Sequence, residues 1–208
     1  ITKNLDRQVQ KGVLKEEQKN STLKNITPYT DLGQAVAHAD LVVEAASEKV
    51  DIKLGIFKQL SSLCPPHTIL ASNTSSISIT QIAAATNRPE KVIGMHFMNP
   101  VPVMKLVEVI RGFTTTDEVC NEIMEISKSM NKVPVEANDF PGFVANRLLI
   151  PMINEAVFSV QEGVSDVEGI DQVMKLGMGH PMGPLQLADF IGLDICVNIL
   201  NVLHDGFG

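Results

Sequence analysis

Gly94-Met95-His96-Phe97-Met98-Asn99-Pro100-Val101-Pro102-Val103-Met104-Lys105-Leu106-Val107-Glu108-Val109-Ile110-Arg111-Gly112 holds two short apolar runs around a turn containing prolines and an asparagine. Val92 to His96 and Leu106 to Ile110 read as strands, because short β-branched and aliphatic runs suit a buried pleated surface. A histidine closes the first and a glutamate interrupts the second. If the strands are neighbours, the two side chains can meet, and a His–carboxylate pair is a general base with its orienting group. Within Leu106-Val107-x-Val109-Ile110 an unpaired charge would cost several kcal/mol or protonate, so Glu108 needs a partner. The plainer alternative leaves Glu108 on the wet face of an edge strand and His96 as a satisfied core histidine.

Upstream, Leu41-Val42-Val43-Glu44-Ala45-Ala46 and Thr68-Ile69-Leu70-Ala71 read as further strands. Between them Val50 to Leu63 has helical spacing, with Ile52, Ile56, Leu60 and Leu63 as its apolar set and Pro65-Pro66 as its stop. Ile79 to Ala85 is a short helix. Nearer the start, the pattern predicts a helix from Thr2 to Gln18, a polar turn at Lys19-Asn20-Ser21, a short strand at Ile26-Thr27-Pro28, and a helix from Asp31 to His38 capped by Asp31. Strands alternating with helices predict an α/β fold, the remainder of a doubly wound, Rossmann-like parallel sheet lacking its first βαβ segment. Ligands of such sheets gather beyond the carboxyl ends of the strands. Glu48, then Ser72 to Ser76, then His96 with Asn99 follow the ends of successive strands, so polar groups collect at one rim.

Downstream, Asp117 to Met130 reads as a helix and Val133-Pro134-Val135 as a last strand. Asn138-Asp139-Phe140-Pro141-Gly142 is turn-rich, which divides the chain into 1–138 and an all-α part, 139–208. That part reads as helices from Phe143 to Gln161, Asp166 to Leu176 and Leu193 to His204, with a loop from Gly177 to Pro184.

Seventeen basic against 24 acidic residues leave a net charge of −7, which disfavours nucleic acid or an anionic membrane as partner. No apolar run is long enough to span a bilayer. Cys64, Cys120 and Cys196 are widely spaced in apolar segments and read as buried thiols of a reducing compartment, cytoplasm or organelle matrix. No metal site is expected. Ile1 and the polar helix after it suggest a chain that begins mid-domain, with no signal peptide.

Gly177-x-Gly179-x-x-x-Gly183 has the wrong spacing and context for a dinucleotide fingerprint, and no G-x-G-x-x-G occurs. Ser72 to Ser76 suit either a loop with a helix cap or a ligand contact. Asn146, in an apolar helix, either packs between helices or faces a cleft between the two parts.

Three segments together, Ala71-Ser72-Asn73-Thr74-Ser75-Ser76, Gly94 to Val109, and Asp139-Phe140-Pro141-Gly142-Phe143-Val144-Ala145-Asn146-Arg147-Leu148-Leu149, resemble the L-3-hydroxyacyl-CoA dehydrogenases, the 3-hydroxybutyryl-CoA type most. Gly179-His180-Pro181-Met182-Gly183-Pro184 with Gly192-Leu193-Asp194 fits the same family. The resemblance implies NAD-dependent interconversion of (S)-3-hydroxyacyl-CoA and 3-oxoacyl-CoA in fatty acid or butanoate metabolism. It implies His96 as base, Glu108 as its orienting carboxylate, and Ser75 and Asn146 on the substrate oxygen. It implies Glu48, Lys53, Ser75 and Asn99 around the nicotinamide and its ribose, and a homodimer through the helical part. The family's Gly-rich pyrophosphate loop and acidic ribose-binding residue have no counterpart among these residues, so the 208 residues by themselves are expected to bind NAD weakly or not at all.

Two other readings stand beside this one. A non-catalytic structural relative of the lambda-crystallin kind, or an inactive fragment, would share the scaffold. A dehydrogenase of small β-hydroxy acids would place a lysine on the first long helix of the second part, where this chain has Asn146-Arg147.

Overall fold

The computed structural model describes residues 1–208. The chain opens with helices α1 (Thr2–Gln10), α2 (Glu16–Lys24) and α3 (Leu32–Val36). Where one helix to Gln18 was predicted there are two, because Gly12 takes φ +69° and ends the first. Gln18 then accepts the Lys15 N–H at the start of the second. Lys19-Asn20-Ser21 consequently lies inside α2, and Ile26-Thr27-Pro28 forms no strand. Asp31 caps α3 by accepting the Gln34 N–H at 2.8 Å.

Five strands follow: β1 (Leu41–Glu44), β2 (Ile69–Ser72), β3 (Val92–Phe97), β4 (Leu106–Arg111) and β5 (Val133–Asn138), in that order across the sheet. The first three run parallel, β4 is antiparallel to β3, and β5 is parallel to β4. The sheet is therefore mixed and not wholly parallel as predicted. The Met98–Lys105 connection is too short for the crossover that parallel pairing needs, about a dozen residues. Gly94 sits opposite Ile110 in this pair, and a β-carbon there would lie 2.6 Å from that of Ile110, so only glycine lets the strands approach.

Side chains alternate across the sheet and build a core on each face. Leu70, Val92 and Ile110 pack with Phe57 and Leu60 of α4 (Val50–Leu63) and with Ile79 and Ile82 of α5 (Ile79–Ala84). Ile69, Ala71, Ile93, Met95, Val107 and Val109 pack on the other side with Val119, Cys120 and Ile123 of α6 (Asp117–Ser129). Half of the predicted apolar set of α4 faces the core, Leu60 buried and Ile56 packed against it, but Lys53 and Phe57 complete the inward face while Ile52 and Leu63 are exposed. A polar partner for Lys53 lets this face turn in, and apolar spacing carries no trace of it.

The helical part comprises α7 (Ala145–Gln161), α8 (Val167–Gln172) with a π-helical turn at Val173–Gly177, α9 (Pro184–Ile191) and α10 (Leu193–Phe207). Its own core holds Ile150, Ile153, Ala188, Cys196, Ile199 and Leu203. Helix α9 was not anticipated. Proline at its first turn was a usable signal, but its cap is remote: the Asp171 carboxylate accepts the N–H groups of Leu185 and Gln186, each at 2.9 Å.

Asp139, in the connection between the two parts, reaches back to the sheet domain. Its carboxylate accepts Ser78 Oγ at 2.7 Å and the N–H groups of Ile79 and Thr80 at 3.0 and 2.7 Å, closing the first turn of α5. Asp139→Ala is expected to cost about 1–2 kcal/mol, a fall of roughly 3–6 °C in thermal midpoint. An unchanged midpoint by circular dichroism would show that water replaces the carboxylate at no cost.

Candidate active site

His96 and Glu108 face each other in the β3–β4 register. The imidazole Nδ1 lies 2.7 Å from Glu108 Oε2, and both residues are buried. The other carboxylate oxygen, Oε1, accepts the N–H groups of Val144 and Ala145 at 3.2 and 2.9 Å, where α7 begins. Gly142 at φ +73° and Phe143 at φ +50° turn the chain so that these N–H groups face the sheet. Glu108 thus joins the imidazole on one side and the entry of the helical part on the other. Burial pushes its carboxyl up, but hydrogen bonds from His96, Ala145 and Val144 prevail and hold it below the ordinary carboxylate range.

An ionised carboxylate only accepts, so Nδ1 carries the proton and Nε2 presents a lone pair. Nε2 has no hydrogen-bonding partner in the chain, yet no buried side-chain nitrogen or oxygen is left unpartnered, so Nε2 reaches the surface. The Phe143 ring packs at a tilt against the imidazole, centroids 5.9 Å apart.

The Ser72–Ser76 loop gathers on Glu48. Its Oε1 lies within 2.7–3.1 Å of Thr74 Oγ1, the N–H and Oγ of Ser75, and the N–H and Oγ of Ser76. Burial again opposes ionisation, and the donors from Thr74, Ser75 and Ser76, with the Lys53 charge, outweigh it, lowering the carboxyl. Asn146 in the first turn of α7 donates its amide to the Ser75 carbonyl at 3.1 Å, which brings the helical part against this loop. Ser75, Asn146 and Glu48 are therefore directly connected.

Lys53 and Asn99 are placed differently. The Lys53 side chain is 2% exposed, and its ammonium lies 2.5 Å from Glu44 Oε2 and 3.7 Å from Glu48 Oε2. It edges a small cavity of about 160 Å³ together with Ala45, Ala46, Ser47, Glu48 and Asn73. Asn99 is exposed in the loop after β3 and makes no side-chain hydrogen bond to this cluster. The sequence reading missed Glu44, Lys53's partner, and Asn73, whose Oδ1 accepts the Phe97 N–H at 2.9 Å.

Residues 1–140 match the family model for the NAD binding domain of 3-hydroxyacyl-CoA dehydrogenase, and residues 142–208 match that for its C-terminal domain. A probable 3-hydroxybutyryl-CoA dehydrogenase of Bacillus subtilis is 58% identical over 208 residues, all of this chain and 72% of that protein. The human mitochondrial hydroxyacyl-coenzyme A dehydrogenase is 46% identical over 184 residues, 88% of this chain and 59% of that one. The crystal structure of (S)-3-hydroxybutyryl-CoA dehydrogenase PaaH1 from Ralstonia eutropha superposes with a TM-score of 0.96 at 47% identity, covering 99% of this chain and 72% of that chain. Sheet, helical part and both matched segments agree: the chain belongs to the 3-hydroxyacyl-CoA dehydrogenase family.

Proposed function

We propose that His96 is the general base of an NAD-dependent interconversion of (S)-3-hydroxyacyl-CoA and 3-oxoacyl-CoA. The observation that carries this is the 2.7 Å contact of Nδ1 with a buried, ionised Glu108, which leaves Nε2 free and accessible. In the oxidative direction Nε2 takes the proton of the 3-hydroxyl, and Glu108 stabilises the imidazolium that forms. The C–H electron pair leaves C3 as hydride, which NAD, when bound, accepts. In reduction the imidazolium returns its proton to the carbonyl oxygen. Ser75 Oγ, its hydroxyl turning from Glu48, and the second N–H of the Asn146 amide hydrogen-bond that oxygen and hold it near the imidazole.

The groups at the carboxyl ends of β1 and β2 suit a nicotinamide riboside. Glu48 accepts from hydroxyls, Lys53 edges the cavity, and the small side chains of Ala45, Ala46 and Ser47 allow close backbone approach. Asn99 would join them from the exposed loop after β3. NADH oxidation with acetoacetyl-CoA, assayed on the polypeptide as its gene encodes it, tests the reading. Turnover is expected, and its absence from a folded protein would favour the non-catalytic relative.

The substrate is an acyl-CoA, and the helical part supplies the dimer contact. In the helical part Ile150 and Ile153 are buried within one chain, but Leu148, Leu176, Phe190 and Val197 remain exposed. No single helix is long and apolar enough to cross a membrane. Three buried free thiols fit a reducing compartment, cytosol or organelle matrix.

A further inference from the structure

Glu44 ends β1 opposite Ser72 of β2, with a side chain 3% exposed. Its Oε2 accepts Lys53 Nζ at 2.5 Å and Ser72 Oγ at 2.9 Å, and its Oε1 accepts the Ala46 and Ser47 N–H groups at 2.7 and 3.4 Å. Its own carbonyl accepts the Asn73 N–H at 2.8 Å. One residue therefore ties together the two strand ends whose loops carry Glu48 and Ser75. Burial raises its carboxyl, and the bonds from Lys53, Ala46 and Ser72 more than reverse this, so it is ionised.

Lys53 lies between two carboxylates, and Glu44 holds it. Nζ is in contact with Glu44 but 3.7 Å from Glu48, short of a hydrogen bond. Lys53 faces Glu48 Oε2, while Oε1 takes the Thr74–Ser76 donors. Were the Glu44 charge absent, the ammonium would have Glu48 as its only carboxylate neighbour and would be drawn onto it. Glu48 would then shift away from the loop, and the small cavity it edges with Lys53 would contract.

We propose that Glu44 is a positioning residue for this reaction: by engaging Lys53 it keeps Glu48 and the Ser75 loop in the arrangement that receives the nicotinamide half of the cofactor. This rests on the reading of Lys53 and Glu48 as cofactor contacts. It extends that reading to a residue which touches no ligand.

Three full-length variants test it, with NADH binding by calorimetry read beside kcat and thermal midpoint. Glu44→Gln keeps the shape and the backbone contacts but removes the charge, and is expected to weaken NADH binding about tenfold, with kcat falling as well because the displaced Ser75 loop also meets the substrate. Glu44→Asp, with the charge kept and the reach shortened, should recover most of that loss, which a purely packing role would not produce. Lys53→Met separates the two levels of inference. If it leaves NADH affinity unchanged, the assignment of Lys53 to the cofactor fails. If it weakens binding while Glu44→Gln does not, the positioning role of Glu44 alone is overturned. Should Glu44→Gln not fold, the Glu44→Gln/Lys53→Met double variant, which removes both buried charges, takes its place. No ammonium remains in it to displace Glu48, so its NADH affinity should match that of Lys53→Met, and a further loss beyond that single variant would overturn the proposal.

Discussion

Replacing His96 by glutamine is expected to lower kcat for acetoacetyl-CoA reduction by about a thousandfold, the middle of the range for removing a positioned acid–base. Glutamine can still hydrogen-bond to Glu108, but it has no ring nitrogen that takes up and returns a proton near neutral pH. NADH affinity should change by less than about twofold, because His96 lies on β3 and is bonded to Glu108, not to the Glu44–Lys53–Glu48 network. Steady-state kinetics with calorimetry on the same preparation decide the matter. A kcat loss below about tenfold would mean that water or another group moves the proton, and the base assignment would fall. Combining His96→Gln with Glu108→Gln should cost little beyond the worse single variant, since the two residues act as a unit.

The sheet was legible wherever an apolar run met a short turn, and illegible wherever a remote side chain decided the outcome. Val50–Leu63 was read to the residue, yet its inward face was only half identified, because beside Leu60 and Ile56 stands Lys53, drawn inward by Glu44, a residue nine positions earlier on another element. Helix α9 was overlooked between two glycine-marked breaks, since its amino end is capped by Asp171 of α8 and not by a neighbour in sequence. The split near Gly12 rests on a single positive φ that a polar helical pattern does not signal.

At the site, Glu108 announced itself as a charge inside an apolar strand, and its need for a partner pointed to His96. Glu44 at the end of Leu41-Val42-Val43 is the same kind of anomaly, and the same reasoning applied there would have found Lys53. What no local pattern reveals is the second use of Glu108, its grip on the Val144 and Ala145 N–H groups, because that depends on how the helical part docks. Asn146 and Asp139 likewise acquire meaning only when the two parts meet.

That double attachment separates two substitutions at Glu108. Alanine strands the α7 N–H groups and the imidazole Nδ1 together, and is expected to cost about 3 kcal/mol, a fall of roughly 6–12 °C in midpoint for a chain of this size. Glutamine can keep a carbonyl oxygen on the N–H groups, so the loss should stay near 1 kcal/mol. Its amide then donates toward Nδ1, which drives the imidazole proton onto Nε2 and removes the base. Glutamine should therefore match His96→Gln in lost kcat while alanine far exceeds glutamine in lost stability. Because the folded-state carboxyl is depressed, its stabilisation is complete above the unfolded value of about 4.3 and is lost as pH falls through the lower folded value. The midpoint gap between wild type and Glu108→Gln should thus shrink below about pH 4. Using that gap cancels the parallel contributions of Glu44 and Glu48, whose carboxyls are depressed in both proteins. A gap that stays level to about pH 3 would mean that Glu108 is not held ionised by the bonds described, and the tautomer that frees Nε2 would lose its cause.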